Sequence, residues 1–554
     1  MEKGGKRWGR WLAALGIIAF GSCLLLAALG QKGRVKQFTA FFAMPGEPVP
    51  EDNHMVRRIA EQTGVQVNVE WMNEQTSTER IESMIRIGEY PDFINGSDAS
   101  DRLVAAGALV PLEGYLEKYP NLEGYLSREQ WESLRKEDGH IYFIPPFGVV
   151  QGHDTATIPA GEAFWIQKRV LEWAGFPRLK TLDEYFDLIV SYQKEHPETG
   201  GKKNIGFEIL CDGWRYYCLE NPPMFLAGYP NDGCAIVDPV TQEASVYDTI
   251  PEARQYYQKL CEMYHQGVVD PETFTLSYNQ YIERISEGNV LGFVDQFWNV
   301  MSAQNSLYAR GMEDRTYVPF GITAEAGIEG NYNCTEYQVN TGAGIGISVD
   351  CKDVEGALGF IDQLLSPELM VLRHWGEKGI DYEVGEDGVF YRTKEQREIR
   401  KDGEYLKENI YGYPYFPAYT GMLADGINTV NPGEQPGEYY AQLSEYDKAL
   451  LDAYEYQNWK EFLGPEKIGA AWYPLYSCKE DWPGDSPHGE ALAKMEQVKR
   501  LWLPQVIMSP KEEFAQAWEA YMQEYQKQVD VEAYEGELNR EIQRRIQAAG
   551  GAGE

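Results

Sequence analysis

The segment Gly292-Phe293-Val294-Asp295-Gln296-Phe297-Trp298-Asn299 ends an apolar strand pattern in two large aromatics mixed with carboxylate and amide groups. A core strand would continue in Val or Ile, and a surface turn rarely spends a Trp. A sugar presents flat C–H faces and a rim of hydroxyls. An indole supplies a broad apolar surface for such a face, while Asp, Gln or Asn in the same loop takes the hydroxyls. Trp298 is therefore expected against a ligand, with Asp295, Gln296 and Asn299 as its polar partners. The competing reading packs both rings in a core, and Phe297 is assigned there.

Two further stretches have suitable chemistry. Ser97-Asp98 follows a strand pattern and precedes a helix start, so backbone amides there hold an oxygen ligand, or Asp98 is simply the N-cap. Trp214 lies in Cys-Asp-Gly-Trp-Arg-Tyr-Tyr-Cys (211–218), as a second ligand-facing ring or as part of a packed or stapled loop. Catalytic motifs are missing: no His-Glu-x-x-His, no Gly-x-Ser-x-Gly and no phosphate-binding loop. With 86 acidic residues, a carboxylate pair at glycosidase spacing exists by number alone and identifies nothing. The seven His are scattered, so neither a metal nor any other cofactor is expected.

A chain of 554 residues is too long for one core and implies two or three domains. Its net charge of -36 repels nucleic acid, which is excluded as a partner. Lys3, Lys6, Arg7 and Arg10 precede an uncharged run from Trp11 to Gly30, the pattern of an export signal. Three endings stay open. Cys23 follows Phe-Gly-Ser as in a lipoprotein box, Ala28-Leu29-Gly30 offers ordinary cleavage, and the run is long enough to remain as an anchor. All three place the remainder outside the membrane, and tethering to its outer face is the expectation. Of the other seven cysteines, Cys211 and Cys218 either bridge or stay as buried thiols.

The elements that must position these residues alternate. Strand patterns at 37–44, 65–71 and 92–97 are separated by helical ones at 54–64 and 77–88, each ending in Gly, which argues for a parallel sheet with helices on its faces. Later helices are expected at 163–175, from the capping box at Thr181 to about His196, at 251–267, 281–289, 354–366 and 511–529. A Gly-rich strand is expected at 342–350, and residues 546–554 are expected to be disordered.

The order and wording of these segments resemble the bacterial extracellular solute-binding proteins of family 1. The matching phrases include TGVQVNVEW, YPDFINGSD, GALVPLEGYLEKYPNL, DGHIYFIPPFG, FWIQKRVLEWAGF with TLDEYFDLI, QGVVDPETF and HWGEKGIDYEVGEDGVFYRT. The resemblance implies an α/β, two-lobed, type 2 periplasmic-binding-protein-like fold, with mixed sheets flanked by helices and a long helical C-terminal part. Residues 1–30 would be the signal or anchor, 36–150 plus 336–373 the N-terminal lobe, and 151–335 plus 374–545 the C-terminal lobe. Crossings are placed near Phe147–His153 and Glu336–Thr341.

It further implies a monomeric receptor that captures an oligosaccharide in a cleft between lobes and hands it to the permease subunits of an ABC importer. The same fold carrying a peptide or small polar solute is the alternative, and a surface polysaccharide-degrading enzyme a more distant one. On this reading Trp375, beside a Gly-rich loop, is a cleft or hinge residue. Asp154 just past the first crossing and Trp472 in Ala-Ala-Trp-Tyr-Pro are further ligand candidates. Alginate-binding relatives carry a calcium loop where this chain has His196 to Ile205. Here His and Ile replace the outer acids, so too few side-chain oxygens remain and no calcium is expected.

Overall fold

The computed structural model describes residues 35–550, apart from 45, 73–75, 137, 160, 336–338 and 340–343. The N-terminal signal or anchor with Cys23, and most of the second expected crossing, lie outside these residues. The chain forms two compact units. The first holds the described residues up to Tyr125, Arg135–Phe147 and Ala343–Tyr419; the second holds Leu126–Leu134, Gly148–Gly342 and Thr420 onward.

The first unit is built on a four-stranded sheet in the order Gly346–Ile347, Phe93–Asn95, Lys36–Phe42, Val65–Trp71. The last three run parallel, with Phe38 beside Val67 and Ala40 beside Phe93, and Gly346–Ile347 is antiparallel. Local signals set the helices between them. Asn53 accepts from the Val56 N–H to start His54–Thr63, and Gly64 at φ 70° ends it. Thr76 and Glu79 exchange hydrogen bonds to start Ser77–Ile87, and Gly88 at φ 74° closes it. Of the stretch 342–350, only Gly346–Ile347 pairs as a strand among the described residues.

Residues 374–419 pack with this first unit, and not with the second as expected. The cause is a buried Arg373, whose guanidinium donates to the carbonyls of Gly412, Pro417, Tyr413, Phe416 and Leu364. The segment so gathered sets Phe416 against Phe93 at 5.2 Å and Tyr413 against Phe360 at 5.5 Å. Leu126–Leu134 is the converse case, placed in the second unit.

The second unit has a sheet in the order Tyr317–Phe320, Glu162–Gln167, Val290–Gln296, Ile205–Glu208. Val290–Gln296 runs antiparallel to Glu162–Gln167 and parallel to Ile205–Glu208. Glu162–Gln167 corrects the expected helix over 163–175. All six residues are buried, and only Lys168–Trp173 after them is helical. A strand covered on both faces reads as an unbroken apolar run, which periodicity does not separate from a helix. Helix Leu182–Glu195 carries the expected Thr181–Glu184 box. Gly292 has no Cβ where the Tyr185 hydroxyl passes, so that hydroxyl reaches the Trp165 carbonyl at 2.5 Å.

Helices Pro251–His265, Pro487–Met508, Phe514–Gln528 and Val531–Gly550 complete the unit. The last of them continues as helix through residues 546–550, where the disordered tail was expected to begin; residues 551–554 lie outside the described residues. It is docked earlier in its length by Tyr534, whose hydroxyl donates to the Cys234 carbonyl at 2.9 Å, and by Arg545, which donates to the Trp472 carbonyl at 3.0 Å.

Candidate functional site

In the second unit the strand Val290–Gln296 hands directly over to the helix Phe297–Ala309. The change of backbone at Gln296 explains the mixed chemistry of this stretch. Asp295 points into the unit, Phe297 packs on Trp165 with centroids 5.9 Å apart, and Trp298 in the first helical turn points out. Trp298 is 46% exposed and Trp214 61%. The two indoles lie with centroids 5.8 Å apart and planes within 14° of parallel. Both are aromatic surface that a folded core does not consume.

A polar network supports this pair. Asp295 is fully buried and accepts four hydrogen bonds: from the Gln296 N–H at 2.7 Å, Tyr217 at 2.9 Å, Asn299 at 2.8 Å and Tyr281 at 3.0 Å. Burial, the largest influence, pushes its carboxyl upward, and the donors from Asn299, Tyr217, Gln296 and Tyr281 work against that rise. Asn299 in turn accepts from the Arg215 Nε at 3.0 Å. The Arg215 guanidinium lies 4.5 Å from the Trp214 ring centroid and 3.9 Å from that of Tyr278. Tyr278 donates to the Asn299 carbonyl at 2.9 Å, and the Trp298 indole N–H donates to Gln296.

The expected polar partners therefore divide. Asp295 and Asn299 are buried with their side-chain groups engaged inside the unit, so they hold the platform and do not take ligand hydroxyls. Gln296 stays partly exposed beside Trp298. Arg215, Tyr217, Tyr278 and Tyr281 were missed by sequence reasoning. The run Trp-Arg-Tyr-Tyr after Gly213 was the available signal for the first two.

In the first unit, Ser97 and Asp98 follow the strand Phe93–Asn95 as expected. Asp98 does not cap the next helix: its carboxylate accepts from the Ser77 hydroxyl. Ser97 takes φ 51°, held by its N–H on the Asn95 side chain at 2.9 Å. Two other candidates, Trp375 and Trp472, are corrected, and Asp154 is found in an ion pair. Trp375 is fully buried, packed on Tyr382 and Phe390 at 5.6 and 5.3 Å. Trp472 lies in the apolar core of the second unit. Asp154 is engaged by Lys460 and by the Ala156 N–H at 2.9 Å. Burial raises its carboxyl, and these donors more than offset that, leaving it below the usual range.

The segment at His196–Ile205 is a hairpin of Glu198–Thr199 with Lys202–Lys203, turned on Gly200 and Gly201 at φ 59° and 80°. Asn204 spends its amide on the His196 carbonyl at 2.7 Å, and Lys202 pairs with Glu287. Lysines and Arg169, which donates to Thr199 at 2.8 Å, stand where a cation site would need oxygens. The seven described cysteines, Cys211 and Cys218 among them, are free thiols.

Residues 54–378 match the bacterial extracellular solute-binding protein family. The chain belongs to that family. This solute-binding protein is 21% identical over 446 residues to the polygalacturonan/rhamnogalacturonan-binding protein YtcQ of Bacillus subtilis, covering 75% of this chain and 82% of that one. Its fold is that of two-domain solute-binding proteins. It is similar to an HMO-binding, ABC-transporter-associated solute-binding protein of Bifidobacterium longum infantis, with a TM-score of 0.61, 13% identity, and coverage of 94% of this chain and 99% of that chain. It is also similar to the Streptococcus pneumoniae substrate-binding protein FusA in complex with kestose, with a TM-score of 0.59, 16% identity, and coverage of 92% and 99%.

Proposed function

We propose that this solute-binding protein is the extracytoplasmic receptor of an ABC importer and that its ligand is an oligosaccharide. The observation that carries the reading is the exposed Trp214–Trp298 pair, held from beneath by the buried Asp295 network. Stacked indoles offer apolar area to sugar C–H faces, with Gln296 bonded to the Trp298 N–H and Arg215 over the Trp214 ring as polar groups for hydroxyls or a carboxylate. The polygalacturonan/rhamnogalacturonan-binding relative and the similar structures described with kestose and as HMO-binding support the same class. Within the first unit, Ser97 and Asp98 at the end of the strand Phe93–Asn95 are the proposed ligand contacts. Export behind residues 1–30, with Cys23 as the lipid-bearing residue, would keep such a receptor at the membrane beside its permease. No catalytic step is assigned to it, in keeping with relatives that are binding proteins.

The experiment is a thermal-shift screen against neutral and uronate-containing oligosaccharides, alongside peptides. A ligand of the native state raises the melting temperature as RT ln(1 + [L]/Kd). A shift with an oligosaccharide, lost in Trp298→Ala, supports the reading. A shift with peptides alone moves the protein to the alternative ligand class. Release of reducing ends from a polysaccharide would convert it to an enzyme.

A further inference from the structure

We propose that Cys234 and Cys478 form a disulfide when the protein meets a thiol-oxidising environment, cross-linking the segment 231–234 to the segment 473–479. The two thiols are neighbours whose side chains act on one another in the reduced protein. They stand 244 positions apart in sequence, yet the backbone around each is already fastened to the other. Leu475 N–H donates to Asp232 at 2.8 Å, Lys479 to the Gly233 carbonyl at 2.8 Å, and Tyr473 to the Asn231 carbonyl at 3.3 Å. Tyr534 closes the site from the C-terminal helix, with its hydroxyl 3.4 Å from the Cys234 sulfur and bonded to the Cys234 carbonyl. Bond formation therefore requires little movement of chain. Proteins of the extracellular solute-binding family work where disulfides persist.

The two sulfurs differ in access and in charge. Cys234 is buried, and Cys478 is partly exposed. Cys478 holds the Cys234 thiol below its ordinary range despite burial, with Lys479, Tyr534 and Arg545 helping. Cys478 is itself pushed up by Cys234. Access, and not charge, sets the order of a two-step exchange with a small disulfide oxidant such as oxidised glutathione: Cys478 is the sulfur the oxidant reaches first, although its raised thiol slows that attack. Cys478 loses its proton and attacks one glutathione sulfur. The Cys478–glutathione bond forms as the oxidant's S–S bond breaks, and one glutathione leaves and takes up a proton. The Cys234 thiolate then attacks the Cys478 sulfur and expels the second glutathione. The pair gives up two electrons and two protons, and the oxidant becomes two thiols.

The test is to incubate the native protein with oxidised glutathione, block remaining thiols with N-ethylmaleimide, and map unreduced peptides by mass spectrometry. The expected result is two fewer maleimide adducts and a peptide pair joined at Cys234 and Cys478. Cys234→Ser is expected to stop at the mixed disulfide on Cys478. Stable glutathione on Cys478 of the unaltered protein, an internal bridge at other cysteines, or full alkylation at every cysteine would overturn the proposal. The peptide map of the unaltered protein decides the matter even where the variant folds poorly.

Discussion

Arg215 donates from Nε to the side-chain oxygen of Asn299 at 3.0 Å, and this one bond ties the surface aromatic pair to the buried network behind it. Asn299 spends its amide on Asp295 at 2.8 Å, so its oxygen is free to accept. The guanidinium is thereby held over the Trp214 and Tyr278 rings. Arg215→Met keeps the apolar stem and removes the fork. We expect it to cost about 0.5–1.5 kcal/mol of ligand affinity, the usual net worth of one hydrogen bond to a ligand oxygen. The unliganded protein should also lose about 1–3 kcal/mol of stability, because the buried Asn299 oxygen is left without its donor. Calorimetric titration with the oligosaccharide that shifts the native protein provides the check, and unchanged affinity would remove Arg215 from the site.

Trp298→Ala and Trp214→Ala test the platform itself. Each ring is largely outside the core, so neither truncation opens a cavity. Each is expected to weaken oligosaccharide binding by about 1–1.5 kcal/mol, roughly tenfold. Because the rings are 5.8 Å apart, the double variant should lose less than the sum of the two. Additive losses would mean that the rings contact ligand independently. A drop in melting temperature without a drop in affinity would return both rings to a structural role.

Asp295 should behave in the opposite way. Its carboxylate accepts four internal hydrogen bonds and is sealed from solvent. Asp295→Ala leaves those donors without an acceptor, and we expect about 3–4 kcal/mol of destabilisation. Asp295→Asn should cost less, because the Tyr217 and Tyr281 hydroxyls can turn and accept from an amide. Denaturant titration of the two variants distinguishes these outcomes. Equal losses would show that the isosteric amide replaces none of these bonds, so that the accepting carboxylate, and not side-chain volume, is what Asp295 supplies.

Asp232 links stability to pH. It is buried in the second unit, with Oδ2 accepting from Leu475 and Oδ1 unpartnered. Burial, followed by repulsion from Cys234, lifts its carboxyl to about 8. Between the ordinary Asp value of about 4 and that raised value, the folded state holds a proton that the unfolded state has released. Its contribution is therefore complete below about pH 4 and is lost as pH rises toward 8, by up to about 1.4 kcal/mol per unit. Asp232→Asn stays neutral throughout. Its stability relative to the unaltered protein should improve steadily from pH 5 to pH 8 and then level off. Parallel melting curves for the two proteins over that range would show that Asp232 is already ionised in the fold.

Legibility in the sequence followed whether the signal was local. The helices His54–Thr63, Ser77–Ile87 and Leu182–Glu195 end where Asn53, the Thr76–Glu79 and Thr181–Glu184 pairs and the closing glycines say they should. The outward turn of Trp298 was readable from the company it keeps. What one stretch does not carry is the partner arriving from elsewhere. Asp295 looked like a ligand group until Tyr217 and Tyr281 took its oxygens. Trp375 looked like a hinge residue until Tyr382 and Phe390 enclosed it. Asp154 was matched by Lys460, some three hundred residues later. Glu162–Gln167 misled for another reason, since a strand buried on both faces has no period to read.

The grouping of residues 374–419 with the first unit rests on Arg373, and that gives the last prediction. Its guanidinium is buried, and it donates to five main-chain carbonyls, with burial lowering its ordinary value to about 10. Five carbonyls need five aimed donors, which the planar fork supplies and a lysine ammonium cannot. Arg373→Lys should therefore lose most of what Arg373→Met loses, about 3–5 kcal/mol from the first unit by analogy with breaking a buried charged network. Hydrogen exchange should register this as lost protection in 412–417 and in the strands Lys36–Phe42 and Phe93–Asn95, which Phe416 covers through Phe42 and Phe93. Protection should hold in the sheet of the second unit, because none of the Arg373 acceptors belongs to it. A lysine variant as stable as the native protein would mean that charge alone, and not the fork, gathers this segment.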